Sequence, residues 1–339
     1  MKPASRGSSV GRVAAMMRSH GSRKISVIIS TYNNPQSLRM CLLGMRHQTR
    51  PPDQIIIADD GSRPDTAAVL REPIFADLPL ESVWHPDDGW RKCRILNLAI
   101  TFAAGDYLIF SDGDTIPRKD FVASHLRYAR RRTFLSGSCV NIPQPVFHQF
   151  RDAEIISNAV FDVSHLKQFW PQIREHTLKL SPGILESPLN YLTWRYCVLR
   201  GANFSAWRED LVRVNGFNEK LVYGSEDREL GVRLRNSGVA SRWLKYSLVQ
   251  LHLDHSRSGY LNHEIANRQR WEFRKLFFTG KSRADEGLAH SRERCGLGGD
   301  PSYTHEVVSS PTRSLPLRPF PATHPFDDVA AVTPSARAA

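Results

Sequence analysis

The sequence lacks any apolar run of the length that crosses a membrane. A membrane-spanning helix needs roughly 20 apolar residues, whereas the longest apolar stretches here, such as residues 55–58, have the length of a strand. Residues 1–24 are basic and rich in Ser and Gly, but they contain no apolar block of the kind that a secretion signal carries. We therefore predict a flexible basic arm over residues 1–23 and no membrane-spanning segment.

Cysteine is sparse in this chain. Five cysteines occur in 339 residues, so the count is odd, and no two of them form a CxxC pair. This arrangement excludes a zinc cluster and a disulfide framework. Reduced thiols are typical of a reducing compartment, which predicts a cytoplasmic protein. The five residues are Cys41, Cys93, Cys139, Cys197 and Cys295.

Several catalytic signatures are also missing. The GxSxG pattern of the α/β-hydrolases occurs only at residues 7–11, in the basic arm and not after a predicted strand, so it is no nucleophile elbow. The chain has no GxGxxG motif for a dinucleotide and no P-loop. It carries a basic surplus instead, because Lys and Arg exceed Asp and Glu by 46 − 34 = 12. Such a surplus suits an anionic partner, and charge alone leaves nucleic acid, an acidic membrane leaflet and a phosphorylated substrate open.

The first half of the chain alternates strand-like and helix-like segments. Apolar strands are predicted over residues 24–30, 54–58, 81–84 and 106–110, and helices over residues 36–47, 64–70 and 91–104. This order predicts an α/β fold with a mainly parallel central sheet flanked by helices. Ligands bind such sheets beyond the carboxyl ends of the strands. Two acidic clusters of this sequence fall at such positions.

Composition divides the chain into three parts. After the basic arm, residues 24–279 are predicted to form the folded domain, with a first half over 24–140 and a second half over 141–279. The second half contains a less regular, polar stretch over residues 147–192, and its later predicted elements are helices at 208–214, 225–236 and 263–278 and a strand at 241–246. Beyond residue 280 the composition shifts to Ser, Pro, Arg and Ala, which predicts a disordered tail over 280–339.

Asp112-Gly113-Asp114 directly follows an apolar strand. A tight turn at the glycine can present the two carboxylates together at the edge of the sheet. Mg²⁺ and Mn²⁺ accept such ligands, usually one or two carboxylates together with substrate phosphates. An isolated DxD is more often a structural turn, but its place after an apolar strand and beside the other motifs favours a metal site.

Asp59 and Asp60 repeat this arrangement after another strand. A carboxylate there can accept hydrogen bonds from a nucleobase or a ribose, and a solvated Asp-Gly turn fits the pattern equally well. Lys92 and Arg94 lie at the start of the helix predicted over residues 91–104. They can hold a diphosphate through charge-assisted hydrogen bonds, and a solvated basic face is the alternative.

Glu226 and Asp227 open a later helix, where acidic side chains also serve as caps. The functional interpretation is a general base that removes the proton of an acceptor hydroxyl. His252 and His255 lie further along the chain, and either can supply a nitrogen ligand to a metal. For each histidine taken singly, a structural role is the default.

Together these segments resemble glycosyltransferase family 2, whose members have the GT-A fold, followed by a galactosyltransferase-type module. The resemblance covers residues 24–255. It rests on segments whose order and spacing match, namely residues 27–33, 56–62, 89–97, 111–114, 201–205, 214–219 and 223–227. The module's usual Trp-Gly-Gly before Glu-Asp is replaced here by Tyr223-Gly224-Ser225, which leaves the sugar and acceptor preference open.

The resemblance implies a role for each matched residue. The first half would bind the nucleotide-sugar, through Thr31, Tyr32, Asn33, Asp59, Asp60, Lys92, Arg94, Asp112 and Gly113. The cofactor, Mn²⁺ or Mg²⁺, would have ligands from both halves, namely Asp114 as the more direct carboxylate, Asp112, and His252 or His255. In the acceptor half, Glu226 would contact the acceptor and Asp227 would be the catalytic base.

The reaction that this resemblance implies is an inverting, metal-dependent sugar transfer. A hexose or N-acetylhexosamine would move from a nucleotide-diphosphate sugar, expected to be a UDP-sugar, to a hydroxyl of a glycan or lipid-linked acceptor in cell-surface polysaccharide biosynthesis. The basic surplus suits peripheral association with the inner face of the cell membrane.

Two other functions compete with this interpretation. The first is a sugar nucleotidylyltransferase-like enzyme, which would need a Gly-rich loop after the first strand, where this chain has residues 30–34 without glycine. The second is a basic nucleic-acid-binding module, which predicts basic and aromatic residues clustered on one surface. The basic residues are dispersed along the sequence, so we expect no nucleic acid partner.

Overall fold

The strands of the domain form two sheets. This computed structural model describes residues 24–169, 179–180, 183–193, 198–222, 224–255, 273, 275–294 and 303–309. The strands are β1 (Ile25–Thr31), β2 (Gln54–Asp59), β3 (Leu80–Trp84), β4 (Tyr107–Asp112), β5 (Thr115–Pro117), β6 (Thr133–Ser136), β7 (Ser138–Ile142), β8 (Asn203–Trp207), β9 (Ala240–Trp243), β10 (Val249–Leu253) and β11 (Thr304–Val307). The larger sheet has the order β11-β3-β2-β1-β4-β8-β6-β9, and the smaller has the order β5-β10-β7.

Helices connect these strands. They are α1 (Pro35–Arg46), α2 (Pro64–Leu70), α3 (Lys92–Phe102), α4 (Phe121–Tyr128), α5 (Gln144–Phe147), α6 (Asp152–Ile156), α7 (Val163–Leu166), α8 (Glu186–Thr193), α9 (Arg208–Arg213), α10 (Glu226–Asn236) and α11 (Leu288–Arg294). Short 3₁₀ turns lie at Pro73–Phe75, Ala159–Phe161, Lys167–Phe169 and Gly183–Leu185. In the described part of the chain, no helix has the length and apolar character needed to cross a membrane.

Strand β1 is buried along its whole length because helices cover both faces of the sheet. Val27 and Ile29 pack in one apolar cluster with Leu38 of α1, whereas Ile28 packs in the opposite cluster with Ile95 of α3. Successive side chains of a strand point to opposite faces, so a strand covered on both faces must be apolar throughout. The apolar run of β1 in the sequence meets this requirement.

The parallel strands end at one edge of the larger sheet. Strand β1 pairs in parallel with β2 and β4, which places Thr31 opposite Asp59 and Ser30 opposite Asp112. Strand β8 runs antiparallel to both β4 and β6, and β9 runs parallel to β6. The carboxyl ends of β6 and β9 therefore lie at the same edge as the acidic clusters.

The smaller sheet brings a later part of the chain to this edge. Strand β10 pairs antiparallel with β5, so His252 lies opposite Thr115. The backbone N–H of Leu253 donates to the carbonyl of Asp114 at 2.8 Å. This pairing places His252 beside the turn that follows β4.

The predicted α/β class is confirmed. The predicted strands and helices of the first half are present with ends shifted by one or two residues, and the helix over residues 64–70 has the predicted bounds. Strands β5, β6, β7, β8 and β10 were not identified from the sequence, because strands of three to five residues carry little periodicity. The irregular stretch over 147–192 contains the short helices α6 and α7, and most of the helix predicted over 263–278 lies outside the described residues.

Residues 281–294 and 303–309 belong to the folded domain, so the prediction of a disordered tail from residue 280 is wrong for them. Asn215 donates from Nδ2 to the carbonyl of Ala284 at 2.9 Å, and α11 packs against α3. Strand β11 pairs antiparallel with the edge strand β3. The polar composition of these segments predicted disorder. Strand β11 is ordered nevertheless, because backbone hydrogen bonds to β3, rather than apolar side chains, hold it in place. The predicted arm over residues 1–23 and the rest of the predicted tail lie outside the described residues.

We expect β11 to stabilise the domain. A chain that ends at Tyr303 loses the backbone ladder to β3, the stacking of His305 on Phe102 at 4.0 Å and the pairing of His305 with Glu81. Each hydrogen bond contributes roughly 0.5–1.5 kcal/mol net to stability. The free energy of unfolding of the shorter chain should therefore be about 2–4 kcal/mol lower than that of a chain ending at Ser309. Urea unfolding of both chains measures the difference, and equal midpoints would contradict a stabilising role.

Candidate active site

The turn that follows β2 is buried and held by several hydrogen bonds. Asp59 is 4% exposed, and its Oδ1 accepts a hydrogen bond from the backbone N–H of Ser62 at 2.8 Å. The Ser62 hydroxyl accepts from the backbone N–H of Asn33 at 2.8 Å, and Asn33 Oδ1 accepts from the backbone N–H of Arg63 at 2.9 Å. Burial raises the pKa of Asp59, and the hydrogen bonds from Ser62 oppose this change. The loops after β1 and β2 therefore form one fixed surface.

The DxD turn packs against the end of β1. The backbone N–H of Gly113 donates to the carbonyl of Ser30 at 2.7 Å, and a Cβ at Gly113 would lie 3.1 Å from that carbonyl. Thr31 is the last residue of β1, opposite the end of β2. The hydroxyl of the next residue, Tyr32, donates to Asp87 Oδ2 at 2.9 Å. These contacts bring the predicted nucleotide-binding residues of β1 together with the turn after β4.

A buried pair anchors the loop that leads into α3. His85 Nε2 lies 3.1 Å from Asp60 Oδ1, and both side chains are almost fully buried. Oδ2 of Asp60 accepts from the backbone N–H of Arg91 at 3.1 Å. Burial raises the pKa of Asp60, and the hydrogen bond with His85 opposes the rise. Arg94, in the first turn of α3, lies 3.6 Å from Asp88 of the same loop. Asp60 thus shapes the loop that precedes the predicted diphosphate-binding residues of α3.

Lys92 connects α3 to the DxD turn. Its Nζ lies 2.6 Å from Oδ1 of Asp112, and the same oxygen accepts from the hydroxyl of Ser30 at 2.6 Å. Burial alone would lower the pKa of Lys92, but the negative charges of Asp112 and Glu226 outweigh burial and raise it. Lys92 is therefore a fixed cation between carboxylates from the two halves of the domain.

Asp114, His252 and His255 form a compact cluster. Oδ2 of Asp114 lies 2.8 Å from Nε2 of His255 and 3.5 Å from Nε2 of His252, and one ligand atom of each residue lies within 4.8 Å of the others. Asp112, which was also predicted as a metal ligand, is not part of this cluster, and its Oδ1 accepts from Lys92 instead. Burial opposes ionisation of Asp114, but the hydrogen bond from His255 and the charges of both histidines and Lys92 lower its pKa.

The donor set of this cluster fits a divalent ion. Oδ1 of Asp114 and Nδ1 of His252 are buried and have no hydrogen-bond partner among the described residues. A carboxylate suits Mn²⁺ or Mg²⁺, and imidazole nitrogens favour a transition-metal ion over Mg²⁺. The residues present thus fit a metal, and both histidines lie close enough to act as ligands.

Glu226 and Asp227 occupy the first turn of α10. The backbone N–H groups of the two residues before Glu226 both donate to its Oε2 at 2.9 Å. Oδ2 of Asp227 accepts from the backbone N–H of Gly201 at 3.0 Å. Burial and the charge of Asp227 raise the pKa of Glu226, and Lys92 opposes this rise. Both carboxylates are thus held in place by backbone donors. Tyr223, which stands where the module usually has Trp, lies outside the described residues.

Sequence reasoning overlooked three polar residues that support this site. His85 holds Asp60, and Ser30 holds Asp112. Gln250 of β10 donates from Nε2 to the hydroxyl of Ser111 at 2.8 Å, directly before the DxD turn. The available signal was position, since each is a polar residue within or directly after an apolar strand.

Two protein-family models match adjacent parts of the chain. Residues 26–183 match the model of glycosyl transferase family 2, and residues 185–255 match the N-terminal domain of galactosyltransferase. Residues 26–183 are thus similar to members of glycosyltransferase family 2. The two matches follow each other in the predicted order, which confirms the family 2 domain and its galactosyltransferase-type module. The first match contains the DxD turn, and the second contains Glu226, Asp227 and both histidines.

The family 2 domain has relatives in bacteria. A glycosyltransferase of Bacillus subtilis, YfnE, is 28% identical over 263 residues, which cover 68% of this chain and 65% of that protein. The chondroitin synthase of Escherichia coli is 24% identical over 229 residues, which cover 64% of this chain and 33% of that protein. This chain therefore spans less than two thirds of the length of either relative.

A solved structure shares the fold of this family 2 domain. The mannosyltransferase PcManGT from Pyrobaculum calidifontis, in complex with GDP-Man and Mn²⁺, aligns with a TM-score of 0.50 and 19% sequence identity. The alignment covers 80% of this chain and 70% of that chain. The domain thus has the GT-A fold, as predicted.

We expect Lys92→Met to destabilise the domain in a pH-dependent way. The variant leaves Asp112 and Glu226 without their cation, so the pKa of Glu226, already raised by burial and Asp227, should rise further. A group whose pKa is higher in the folded state destabilises that state once it ionises, so the loss should be larger at pH 7 than at pH 5. At pH 7 we expect about 1–3 kcal/mol, because the Lys92–Asp112 pair is only partly buried.

Urea unfolding at the two pH values measures this loss. Lys92→Met/Asp112→Asn is the matched control, since it also removes the unpaired carboxylate, and it should recover part of the lost stability. An equal loss at both pH values would contradict the electrostatic role of Lys92.

Proposed function

We propose that this family 2 domain is an inverting, metal-dependent glycosyltransferase. The observation that carries the proposal is the meeting of the Asp114–His252–His255 cluster, Lys92 and Asp227 at one edge of the sheet. The donor is a nucleotide-diphosphate sugar, with a UDP-linked hexose or N-acetylhexosamine expected. The acceptor is a hydroxyl of a glycan or a glycolipid.

The residues of the DxD turn and α3 hold the donor's diphosphate. Asp114, His252 and His255 bind the divalent ion, and Mn²⁺ is favoured over Mg²⁺ because imidazoles are among the ligands. When bound, the ion acts as a Lewis acid that neutralises charge on the leaving diphosphate. Lys92 adds a positive charge in a partly buried position, where water screens it less than at the surface. The surface around Thr31 and the Asp59 turn receives the nucleoside.

Asp227 is the proposed general base. The hydrogen bond from Gly201 orients its carboxylate, which accepts the proton of the attacking acceptor hydroxyl. The new bond from the acceptor oxygen to the anomeric carbon forms as the bond from that carbon to the diphosphate oxygen breaks. Attack from the face opposite the leaving group inverts the anomeric configuration and needs no covalent enzyme intermediate. Glu226 contacts the acceptor from the same helix turn.

The biological setting follows from the relatives and the charge. A relative named chondroitin synthase supports a role in polysaccharide biosynthesis. The scattered cysteines support a cytoplasmic protein, and the surplus of 12 basic residues supports an acceptor presented at the inner face of the cell membrane.

Asp114→Ala should abolish metal-dependent turnover of the donor. Wild type is assayed for nucleotide release across a panel of UDP- and GDP-sugars with Mn²⁺, Mg²⁺ or EDTA. We expect wild type to turn over one donor with Mn²⁺. Nucleotide release should be at least ~100-fold slower in the variant and in EDTA, because Lewis-acid stabilisation of charge in the transition state is worth several kcal/mol. Asp77→Ala is the matched control, since Asp77 pairs with Arg46 outside the site. If no nucleotide diphosphate binds wild type in calorimetry even with Mn²⁺, the transferase proposal fails.

Asp227→Asn tests the assignment of the base. General base catalysis contributes roughly 10²–10⁴-fold, so kcat should fall by about this factor while Mn²⁺ and nucleotide binding stay unchanged. Glu226→Gln is the companion variant, and it should mainly raise the KM for the acceptor. The rates are measured with the acceptor from a glycan panel that most accelerates nucleotide release. Near-full turnover by Asp227→Asn would reject Asp227 as the base.

A further inference from the structure

A cavity of about 410 Å³ lies beside β9, the last strand of the larger sheet. Its walls come from α4, α8 and β9, through residues that include Tyr128, Ser187, Asn190, Tyr191, Arg242 and Trp243. The volume falls within the roughly 300–1,000 Å³ of ordinary ligand pockets. Its described lining contains no residue assigned above to the nucleotide, the metal or the base.

The lining combines aromatic rings with a cation. Tyr128, Tyr191 and Trp243 offer flat apolar surfaces with polar tips. Tyr191 is 73% exposed, so its ring is accessible at the mouth of the cavity. A sugar ring has apolar C–H faces that pack on such surfaces, and its hydroxyls need polar partners nearby. The lining therefore suits a sugar better than a wholly apolar ligand.

Arg242 is the charged residue of the lining. Its guanidinium lies 5.5 Å from the centroid of the Tyr128 ring, and no carboxylate of the described residues forms an ion pair with it. Burial lowers the pKa of Arg242, and the nearby charge of Arg130 lowers it further. Lys245 adds a second cation next to a lining residue, with Nζ 5.5 Å from the centroid of the Trp243 ring. A partly desolvated arginine between other cations favours an anionic ligand.

The carboxylate of Glu186 already accepts hydrogen bonds from two hydroxyl groups. Oε1 of Glu186 accepts from the hydroxyls of Tyr128 at 3.1 Å and Ser247 at 2.5 Å. Asn190 holds α8 in place, because its Oδ1 accepts from the backbone N–H of Tyr246 at 3.0 Å and its Nδ2 donates to Ser247 at 2.7 Å. The cavity walls are therefore fixed by hydrogen bonds that leave Arg242 unneutralised.

Residues 200 and 201 connect the cavity wall to the proposed base. Gly201 bonds to Asp227 at 3.0 Å, and the guanidinium of the preceding residue, Arg200, lies 5.8 Å from the centroid of the Trp243 ring. Strand β9 also ends at the sheet edge where the acidic clusters lie. A chain of sugars with one unit at Asp227 can therefore extend along Arg200 and Trp243 to Arg242.

We propose that this cavity is a subsite for an anionic sugar unit of the acceptor. A carboxylate or a phosphate on the sugar pairs with Arg242, and the sugar ring stacks on an aromatic wall of the cavity. This inference rests on the proposed transferase function and deepens it, because it names the acceptor as an acidic glycan.

Binding of small sugars to the full chain tests this subsite. The probes are a glucuronic-acid-containing disaccharide, glucose 6-phosphate and the neutral disaccharide cellobiose, each followed by saturation-transfer NMR and calorimetry. We expect an acidic probe to bind at least ~10-fold more tightly than cellobiose, and Arg242→Gln to weaken its binding by about 10–100-fold, as expected for a hydrogen bond to a charged group. The acidic probe that binds with the higher affinity shows whether the preferred anion is a carboxylate or a phosphate.

Two further variants control this experiment. Arg71→Gln removes an arginine that pairs with Glu306 at the opposite edge of the sheet, and it should bind like wild type. Tyr191→Ala removes a mostly exposed ring, so the variant should fold normally. It should weaken the binding of acidic and neutral sugars by similar factors. Equal binding of acidic and neutral probes, or wild-type affinity in Arg242→Gln, would overturn the subsite.

Nucleotide binding separates this inference from the transferase proposal. The same proteins are titrated with UDP and GDP in the presence of Mn²⁺. Nucleotide binding without Arg242-dependent binding of an acidic sugar would reject the subsite and leave the transferase proposal standing. Arg242-dependent sugar binding without any nucleotide binding would support the subsite and reject the transferase proposal.

Discussion

The salt bridge between Lys92 and Asp112 allows carboxylates from both halves of the domain to meet at one sheet edge. Asp112 and Asp114 end the first half's sheet, and Glu226 and Asp227 arrive on α10 from the second half. Like charges in a partly buried place repel each other and raise each other's pKa. Lys92 offsets this repulsion on one side, and the histidines beside Asp114 offset it on the other.

The connectivity of the sheet explains how this meeting occurs. Parallel strands β1, β2 and β4 end together and build the surface proposed for the donor. The antiparallel strand β8 then leads the chain back across the sheet, and it lets β6 and β9 end at the same edge. The proposed base and the Arg242 cavity lie on this later side. The regions proposed for donor and acceptor thus share one edge although they come from separate matched modules.

The fold was largely predictable from local pattern. The apolar runs of β1, β2 and β4 and the helices between them predicted a parallel sheet, because both faces of such a strand are buried. The site was predictable in part, since Asp112, Asp114 and Asp227 stand in motifs with recognisable spacing. His85 and Gln250 were missed, because their position within or directly after a strand was the only signal, and a single polar residue there has no pattern of its own. Strand β11 was missed because backbone hydrogen bonds, rather than apolar side chains, attach it to β3.

The sequence by itself determined the class of fold, the strand ends that carry acidic residues and the family that residues 26–183 match. These properties follow from periodicity and short motifs, which are local. The tertiary structure alone decided that Lys92 pairs with Asp112, that both His252 and His255 approach Asp114, and that Arg242 lines a cavity without a carboxylate partner among the described residues. Each of these depends on contacts between segments far apart in the chain, and such contacts are set by how the strands pair and pack.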